Sequence, residues 1–514
     1  MDRKPDWPGL FLFTALLFGA AIRFWPAISN GFPLNDGGMF YSMARDLQAN
    51  HYVLPQFTTY NSSEIPFAYP PLGFYVAASL SGLLPVSAVS IFLWLPALVN
   101  TLSILVFYKF AEEVLLTRTS AALAVLIYAL SPRAFLWQVM GGGVTRAFGI
   151  LFLLLMTWQA VALFKNYSHK KLALTVLFGA GAVLSHPQTA LHAALAGGLI
   201  FAFYGRNKRG LVSALLTGLG VCLLTAPWWG LALARYGLDP FLSAGQTSQR
   251  TLESYLAIIK IEGLGDYLFL PTLLLAFIGI WVTFKQREYF LCTWAVFAYL
   301  VDPRGGEGIA LLSLSMLAGI GLYKLCAWMS RPGDVQAAEP FAGRRAQLLI
   351  AGLVAYFVLV AGVSDLQLLN TSLKPADLAT IDWVQANVSG HKTFLLATGR
   401  EFSMSDPLQE WFPALTGQHS ATTMQGLEWT LGQRFFPWYD QLIAFQHCAD
   451  VQCVSDWSGR NNIHYDYLVV MIPGANDRDE LANSLRSLAI SARTSALHLL
   501  VYESEDAQVF ELGK

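Results

Sequence analysis

Long apolar runs recur along the chain as far as residue 364, separated by short polar segments. A transmembrane helix needs about 20 predominantly apolar residues, and the pattern predicts eleven spans. These spans are 8–28, 88–110, 119–137, 145–164, 171–185, 189–204, 211–229, 268–284, 288–301, 308–327 and 347–364. The first run follows Arg3 and Lys4, is longer than a signal-peptide core and lacks a small-residue cleavage site, so we expect it to be retained.

The apolar stretch 70–84 decides the predicted orientation. If it lies in the membrane interface and the N-terminus is cytoplasmic, the short inner loops collect most Lys and Arg residues, among them Lys109, Lys165, Lys170 and Lys171. Positive residues accumulate in cytoplasmic loops. Counting 70–84 as a span would invert this bias, so we predict an interfacial segment, with two long outer loops at 29–69 and 230–267.

Beyond residue 365 the pattern becomes that of a globular protein. Three runs predict strands: Thr393–Thr398, Tyr467–Ile472 and His498–Glu503. Two stretches predict helices: 376–388 and 477–490. The order strand–helix–strand from Tyr467 to Glu503 is typical of a small α/β unit. The predicted fold class is a mainly α, polytopic membrane domain (residues 1–365) followed by an extracytoplasmic α/β domain (residues 366–514).

Composition agrees with a membrane location. Of the 514 residues, 55% are hydrophobic and 13% charged, against about 25% charged in soluble domains. The net charge is −1 without a basic tract, which excludes a nucleic-acid partner. Short cytoplasmic loops and no retention signal favour a prokaryotic plasma membrane. In an oxidising compartment Cys448 and Cys453 could pair; free thiols are the alternative, and a zinc site lacks ligands beyond His447.

The first outer loop holds the main candidate for chemistry, in Asn35-Asp36-Gly37-Gly38. Residues 39–50 have helical spacing, so Asp36 could simply cap that helix. Alternatively, its carboxylate lies at the membrane surface beside glycines that let a ligand approach, and acts as a general base. Four acids are the next candidates: Glu64, Asp46, Asp302 and Glu307.

Three arginines lie in short outer loops, where Arg is uncommon: Arg133, Arg146 and Arg304. Arg146 ends the motif Gly-Gly-Gly-Val-Thr-Arg, and Arg304 lies in Asp-Pro-Arg-Gly-Gly. A guanidinium binds phosphate through two N–H groups, so each arginine is a candidate ligand of an anionic headgroup. Snorkelling toward the interface is the alternative.

Other candidate substrate contacts are aromatic, imidazole or acidic. Tyr69 precedes two prolines, and His186 lies at the outer end of the fifth span. Glu410 and Glu428 each precede a Trp, a pairing that can hold the hydroxyls and the apolar face of a sugar. A packed Trp with an exposed Glu is the alternative, and His192 is interpreted as a structural, hydrogen-bonded His.

Together these features resemble the GT-C superfamily of membrane glycosyltransferases, which includes protein O-mannosyltransferases, the lipid A aminoarabinose transferase and oligosaccharyltransferase catalytic subunits. The resemblance is carried by Asn35-Asp36-Gly37-Gly38, Tyr69-Pro70-Pro71-Leu72 and Ala226-Pro227-Trp228-Trp229. Two departures stand out. Asp36 has no acidic neighbour, and residues 131–146 lack the Asp-x-Asp that binds metal in oligosaccharyltransferase subunits. We expect no required cofactor, and leave a divalent metal open.

The resemblance implies a reaction in which Asp36 takes the proton of an acceptor hydroxyl that attacks a polyprenyl-phosphate sugar with inversion. It places the donor phosphate at Arg304, Arg146 and Arg133. Substrate contacts would come from Tyr69, Glu64, His186, Glu410 and Glu428. The implied partners are membrane lipid, the donor and a glycan, lipid or protein acceptor. The alternatives are a transporter or lipid flippase, although no internal repeat is visible, and a non-catalytic glycan-assembly protein.

Overall fold

The computed structural model describes residues 5–247, 270–303, 305–329, 340–341, 343–474, 477 and 479–513. Up to residue 369 the described chain is helical. The helices are α1 Trp7–Asn30, α2 Gly38–Ala49, α3 Leu72–Leu83, α4 Ala88–Val114, α5 Arg118–Leu130, α6 Leu136–Val139, α7 Gly143–Lys165, α8 His169–Ser185, α9 Pro187–Tyr204, α10 Lys208–Tyr236, α11 Asp239–Gln246, α12 Leu270–Gln286, α13 Phe290–Val301, α14 Gly306–Met329 and α15 Arg344–Leu369.

Six described helices, α1, α4, α7, α10, α14 and α15, are long and apolar enough to cross a membrane by length and composition. Each coincides with a predicted span, and the protein is an integral membrane protein. The other predicted spans coincide with α5, α8, α9, α12 and α13, which are 12 to 18 residues long. The number of crossings therefore stays a prediction.

The third predicted span, 119–137, is not one continuous helix. α5 ends at Leu130, a 3₁₀ turn covers Pro132–Ala134, and the short α6 follows. Pro132 has no N–H to donate and disfavours helical geometry in the residue before it. The stretch 70–84 contains α3, whose 12 residues extend only about 18 Å, less than about 30 Å of hydrocarbon. Since α13 is equally short, the interfacial location of 70–84 stays a prediction.

The helical bundle is built around α5 and α14. All residues of α5 from Ser120 to Leu130 are buried, and small residues let α14 approach its neighbours closely. A Cβ at Gly321 would lie 1.9 Å from the carbonyl oxygen of Leu275, and one at Gly319 would lie 2.6 Å from that of Ser120. Close backbone contact at small residues is how helices associate in lipid.

Arg23, in the middle of α1, is fully buried, and the sequence analysis did not single it out. Its Nη1 donates to the carbonyls of Gly19 and Ala129, and its Nε donates to Oδ1 of Asn100. Buried charges persist in membrane helices when backbone carbonyls and polar side chains satisfy them. Arg23 therefore ties α1 to α4 and α5 inside the bundle.

The C-terminal domain is an α/β unit around a five-stranded sheet. Its helices are α16 Pro375–Asn387, α17 Pro407–Thr416, α18 Phe435–Gln446, α19 Val451–Arg460 and α20 Glu480–Thr494. Its strands are β1 Thr393–Ala397, β2 His419–Ser420, β3 Tyr467–Met471, β4 His498–Glu503 and β5 Ala507–Leu512. The strand order is β2-β1-β3-β5-β4; β1 runs parallel to β2 and β3, and β5 is antiparallel to β3 and β4.

The three predicted strands and both predicted helices are present within a few residues of their expected bounds. The sequence analysis missed β2, β5 and the helices α17, α18 and α19. A disulfide joins Cys448, which follows α18, to Cys453 in the first turn of α19, which resolves the pairing that the sequence had left open.

The long loop between α1 and α3 packs between the membrane helices and the C-terminal domain. One buried apolar cluster unites Met39 of α2, Phe74 of α3, Phe92 of α4 and Trp411 of α17 with Phe394 of β1. The C-terminal domain is therefore joined to the loop that carries Asp36 through a shared core.

Candidate functional site

Asp36 and Arg146 form one bidentate ion pair. Nη1 of Arg146 donates to Oδ2 of Asp36 at 2.7 Å, and Nη2 donates to Oδ1 at 2.9 Å. The backbone N–H of Gly142 adds a third hydrogen bond to Oδ1 at 3.0 Å. The two side chains are only 15% and 16% exposed. Two residues selected from the sequence for separate reasons thus meet in one site.

The glycines of both motifs make this contact possible. A Cβ at Gly141 would lie 2.0 Å from the carbonyl oxygen of Asp36, and one at Gly142 would lie 2.6 Å from its carboxylate. Gly37 has a φ of 128°, a conformation that side chains strongly disfavour. The Gly141–Gly143 run at the start of α7 is therefore a surface against which the Asp36 loop can lie in direct backbone contact.

Arg146 is oriented by the broken third span. Its Nε donates to the carbonyl of Trp137 in α6 at 2.7 Å, and its guanidinium lies 5.5 Å from the centroid of the Trp137 ring. The carbonyl is available because α6 is a single short turn after the break at Pro132. All three guanidinium nitrogens therefore have a partner in the described structure.

The charge state of Asp36 follows from two opposing effects. Burial alone would raise its pKa, but the positive charge of Arg146 and the hydrogen bonds from Arg146 and Gly142 outweigh it, so the pKa lies below its usual value. Asp36 is therefore an ionised proton acceptor whose basicity is restrained by Arg146.

Glu410 of α17, not Asp36, accepts hydrogen bonds at the start of α2. Its Oε1 accepts from the backbone N–H groups of Gly37 and Met39, both at 3.1 Å. Gly37 occupies the N-cap position, and no side-chain cap hydrogen bond comes from that residue. The interpretation of Asp36 as a helix cap was therefore wrong. The alternative of an exposed Glu410 was also wrong, because this side chain is buried.

The pKa values of Asp36 and Glu410 are shifted in opposite directions. Burial and the negative charge of Asp36 raise the pKa of Glu410 to about 8, despite the N–H groups of Met39 and Gly37. A pair of neighbouring acids whose environments drive their pKa values apart is a common arrangement in sites that move protons. Glu410 lies close enough to Asp36 for the charge of Asp36 to oppose the ionisation of Glu410.

Asn35 fixes the chain just before Asp36. Its N–H donates to the carbonyl of Thr371 beyond α15 at 2.9 Å, and its carbonyl accepts from Nε1 of Trp411 at 3.0 Å. Trp411 is fully buried and lies edge-to-face against Phe32, with ring centroids 4.9 Å apart. The position of Asp36 therefore depends on residues near the end of the chain, which the sequence analysis had no signal to find.

Tyr69 lies in an aromatic cluster beside the ion pair. Its hydroxyl lies 3.5 Å from Oγ1 of Thr145, and its ring centroid is 5.8 Å from that of Trp429 and 6.1 Å from that of His186. Burial, and then the charge of Arg146, lower the pKa of His186 to about 3, so its imidazole is neutral. Glu428, next to Trp429, contributes negative charge here, raising the pKa of Glu410 and Tyr69.

Other predicted site residues lie apart from this cluster. Arg133 pairs with Glu307 of α14 at 3.4 Å, and Glu64 is exposed. Asp46 is buried and accepts hydrogen bonds from Thr58 and Thr59, so it supports the loop. Arg304 lies outside the described residues.

Asp302 and His192 form a second polar contact. Nε2 of His192 lies 3.3 Å from Oδ2 of Asp302, which also accepts from Nε2 of Gln188 at 2.6 Å. Burial opposes the ionisation of Asp302, but the hydrogen bonds from His192 and Gln188 lower its pKa to about 2. These contacts agree with a structural role for His192. Among the described residues, no group of three or more His, Cys, Asp or Glu could hold a metal ion.

No protein-family model and no curated protein matches the sequence. Solved structures match the fold along most of the chain. ArnT from Cupriavidus metallidurans, bound to undecaprenyl phosphate, is 16% identical with a TM-score of 0.59, covering 99% of this chain and 98% of that one. The archaeal oligosaccharyltransferase AglB from Archaeoglobus fulgidus, in complex with an inhibitory peptide and a dolichol-phosphate, is 13% identical with a TM-score of 0.59, covering 90% and 69%.

The chain has the GT-C fold. The arabinofuranosyltransferase AftD from Mycobacteria shows it too, with 16% identity and a TM-score of 0.61, covering all of this chain and 40% of that one. At these identities the likeness concerns the fold. The GT-C resemblance drawn from the order of motifs is thereby confirmed, and in this chain the GT-C fold carries the Asp36–Arg146 pair.

Proposed function

We propose that the protein is a membrane glycosyltransferase that moves a sugar from a polyprenyl-phosphate donor to an acceptor hydroxyl, with Asp36 as the general base. The single observation that carries this proposal is the ionised Asp36 bound by the Arg146 fork, in a fold shared with glycosyltransferases. Two of those neighbours were solved with a polyprenyl-type phosphate, dolichol-phosphate and undecaprenyl phosphate.

The proposed reaction is one displacement. The acceptor oxygen forms a bond to the anomeric carbon while its proton passes to the Asp36 carboxylate. The bond between that carbon and the phosphate oxygen breaks, and the lipid phosphate leaves with the electron pair, so the configuration inverts. General-base assistance contributes roughly 10²–10⁴ in rate, and positive charge near the leaving phosphate stabilises the transition state.

Arg146 connects the two parts of this mechanism. A guanidinium binds carboxylate and phosphate with the same two-pronged geometry. When a donor phosphate takes over part of the Arg146 fork, Asp36 loses a partner that keeps its pKa low, and it becomes a stronger base. Donor binding would therefore activate the base, and Asp36 would stay restrained while the donor site is empty.

The aromatic cluster provides a surface for the sugar. Tyr69 and Trp429 present buried rings beside the ion pair, and Glu428 and Glu410 supply acceptors for hydroxyl groups. Aromatic faces pack on the apolar face of a pyranose or furanose ring, while a small number of polar groups fix its orientation. His186 would contribute as a neutral imidazole. Arg304 and Arg133 remain proposed phosphate contacts, and Glu64 remains a proposed substrate contact.

The deciding experiment is release of polyprenyl phosphate from radiolabelled polyprenyl-phosphate hexoses and pentoses by the purified protein in lipid, with a candidate acceptor mixture and with or without chelator. Asp36→Asn is measured beside Asp382→Asn, which removes an exposed carboxylate of α16. Turnover that persists in Asp382→Asn and disappears in Asp36→Asn supports the proposal. Equal turnover in both variants removes Asp36 as the base.

The two alternatives make different predictions in the same preparation. A transporter or flippase would move labelled donor across the membrane of proteoliposomes without cleaving it. In that case neither the wild type nor Asp36→Asn would release polyprenyl phosphate. A glycan-assembly protein without activity would bind the donor but release no phosphate with any acceptor fraction.

A further inference from the structure

A cavity of about 430 Å³ lies between α7 and α8, toward the opposite end of α7 from Arg146. Its lining includes Trp158, Gln159, Ser168, Lys170, Lys171 and Phe178. Gln159 is 13 residues after Arg146 in α7, which corresponds to about 20 Å along the helix. The cavity is therefore separate from the Asp36 site and belongs to the predicted cytoplasmic side.

Positive charge at this cavity is not neutralised by neighbouring acids. The lining contains two lysines and no acidic residue. Nearby Glu112 and Glu113 pair instead with Lys109, Arg118 and Lys165. Nζ of Lys171 donates to the carbonyls of Ala162 and Asn166, both at 2.9 Å, which holds its charge at the cavity wall. The site therefore favours an anion.

Gln159 gives the cavity a second polar feature. This side chain is 8% exposed, and its amide has no hydrogen-bond partner among the residues that the structure describes, yet it lines the cavity. Because this amide is open to the cavity, water or a bound ligand can satisfy it. Gln159 lies six residues before the end of α7, about 9 Å along the helix.

The remaining lining completes an amphipathic site. Ser168 caps the N-terminus of α8, the positive end of its dipole, and lines the cavity together with Lys170. Trp158, Leu174 and Phe178 supply apolar walls. A phospholipid would match this lining. Its phosphate ester would lie at Lys170, its polar glycerol or ester group at Gln159 and an acyl chain along the aromatic wall.

We propose that this cavity binds the phosphorylated headgroup of an anionic phospholipid from the leaflet opposite the Asp36 site. Basic pockets between transmembrane helices on the cytoplasmic side are suited to such headgroups. The shared chemistry is a phosphate monoanion, which could come from a lipid or from free phosphate, and the experiment separates the two. The proposal does not depend on the glycosyltransferase function.

The test is native mass spectrometry of the purified full-length protein titrated with short-chain phosphatidylglycerol, with phosphatidylcholine of the same chains, and with inorganic phosphate. The wild type should bind phosphatidylglycerol at one saturable site, at least about tenfold more tightly than phosphatidylcholine. Lys170→Gln should weaken phosphatidylglycerol about fivefold, since one cation near the surface contributes about 1 kcal/mol. Adding Gln159→Leu should weaken it further.

Two control variants keep the outcome clear. Lys208→Gln removes an exposed lysine of α10 that is not among the cavity-lining residues, and should leave affinity unchanged. Lys170→Arg should restore affinity to within about twofold, which a folding defect would not do. Equal binding of phosphatidylcholine and phosphatidylglycerol, or unchanged binding by the double variant, overturns the proposal. Displacement of the lipid by micromolar inorganic phosphate overturns the lipid as the source.

Discussion

The two ends of α7 differ in whether their polar side chains have partners within the protein. In its first turn, Arg146 has a partner at each nitrogen: the Trp137 carbonyl and both oxygens of Asp36. Near its last turns, Gln159, together with Lys170 of the adjacent α8, lines a cavity without a hydrogen bond or ion pair to the described residues. At one end the polar groups satisfy one another, whereas at the other they are open to water or to a ligand. A preorganised charge pair suits the proposed chemistry, and open polar groups suit the proposed lipid binding.

Among the substitutions at the Asp36 end of α7, Asp36→Asn should have the largest effect. We expect turnover in the phosphate-release assay to fall by about 10²–10⁴, because a neutral amide accepts no proton. The fold should persist, since the amide oxygen can still accept from Gly142 and Arg146. A thermal unfolding midpoint close to that of the wild type is the control. A fall in turnover of less than tenfold would contradict Asp36 as the base.

Arg146→Lys should have the next largest effect. Lysine keeps the charge but cannot form the two-pronged contact, and a hydrogen bond to a charged group contributes about 1.5–3 kcal/mol, so we expect about a ten- to hundredfold loss of kcat/KM. Arg146→Gln removes the charge that lowers the pKa of Asp36. The acidic limb of the kcat/KM profile should then move to higher pH, which distinguishes this role from packing alone.

Glu410→Gln tests whether the C-terminal domain holds the start of α2, next to Asp36, through a protonated acid. Because the pKa of Glu410 is raised from 4.5 to about 8, the folded protein retains a proton that the unfolded chain loses. Stability from this group is complete below pH 4.5 and declines as pH rises to about 8. Glutamine can accept the same N–H bonds without titrating.

The measurement for Glu410→Gln is the unfolding midpoint between pH 5 and pH 9. The wild type should lose several degrees more than the variant over this range, since 1 kcal/mol moves the midpoint of a 150–250-residue domain by roughly 2–4 °C. Glu480→Gln, in the exposed first turn of α20, is the matched control. Parallel curves for wild type and Glu410→Gln would contradict the pKa shift.

The smallest expected effect comes from replacing both Cys448 and Cys453 by Ser. The disulfide closes a loop of only five residues, for which chain entropy predicts about 2 kcal/mol of stabilisation. The unfolding midpoint of the C-terminal domain should fall, and the Asp36 site should be destabilised with it. The affinity for lipid at Lys170 should stay as in the wild type. Equal weakening of both ends would show that they are not independent.

Sequence patterns predicted elements better than contacts between them. Apolar runs of span length located all the major helices, because burial in lipid leaves a long, continuous signal. β2 was missed because it is only two residues long. β5 was missed because apolar and polar residues alternate only weakly along Ala507–Leu512. The break at Pro132 was visible in the sequence as a proline that follows Ser131, and it was overlooked because the apolar run continued past it.

The candidate site shows the same limit. Asp36 and Arg146 were each selected by local motif and loop position, but their ion pair spans 110 residues and left no local trace. Glu410 was interpreted from its neighbouring Trp, whereas its hydrogen bonds join residues 373 positions apart. Contacts of this kind arise from tertiary packing, so they cannot be derived from periodicity.

The hydrogen bond from Trp411 to Asn35 has a consequence for biogenesis. Its partners are 376 residues apart, and a ribosome adds about 5–20 residues per second, so about 20 to 75 s of translation separate their synthesis. During that interval the nascent chain already contains Asp36 but lacks the groups that fix its loop. A product truncated before α17 would insert its helices and still lack a completed site.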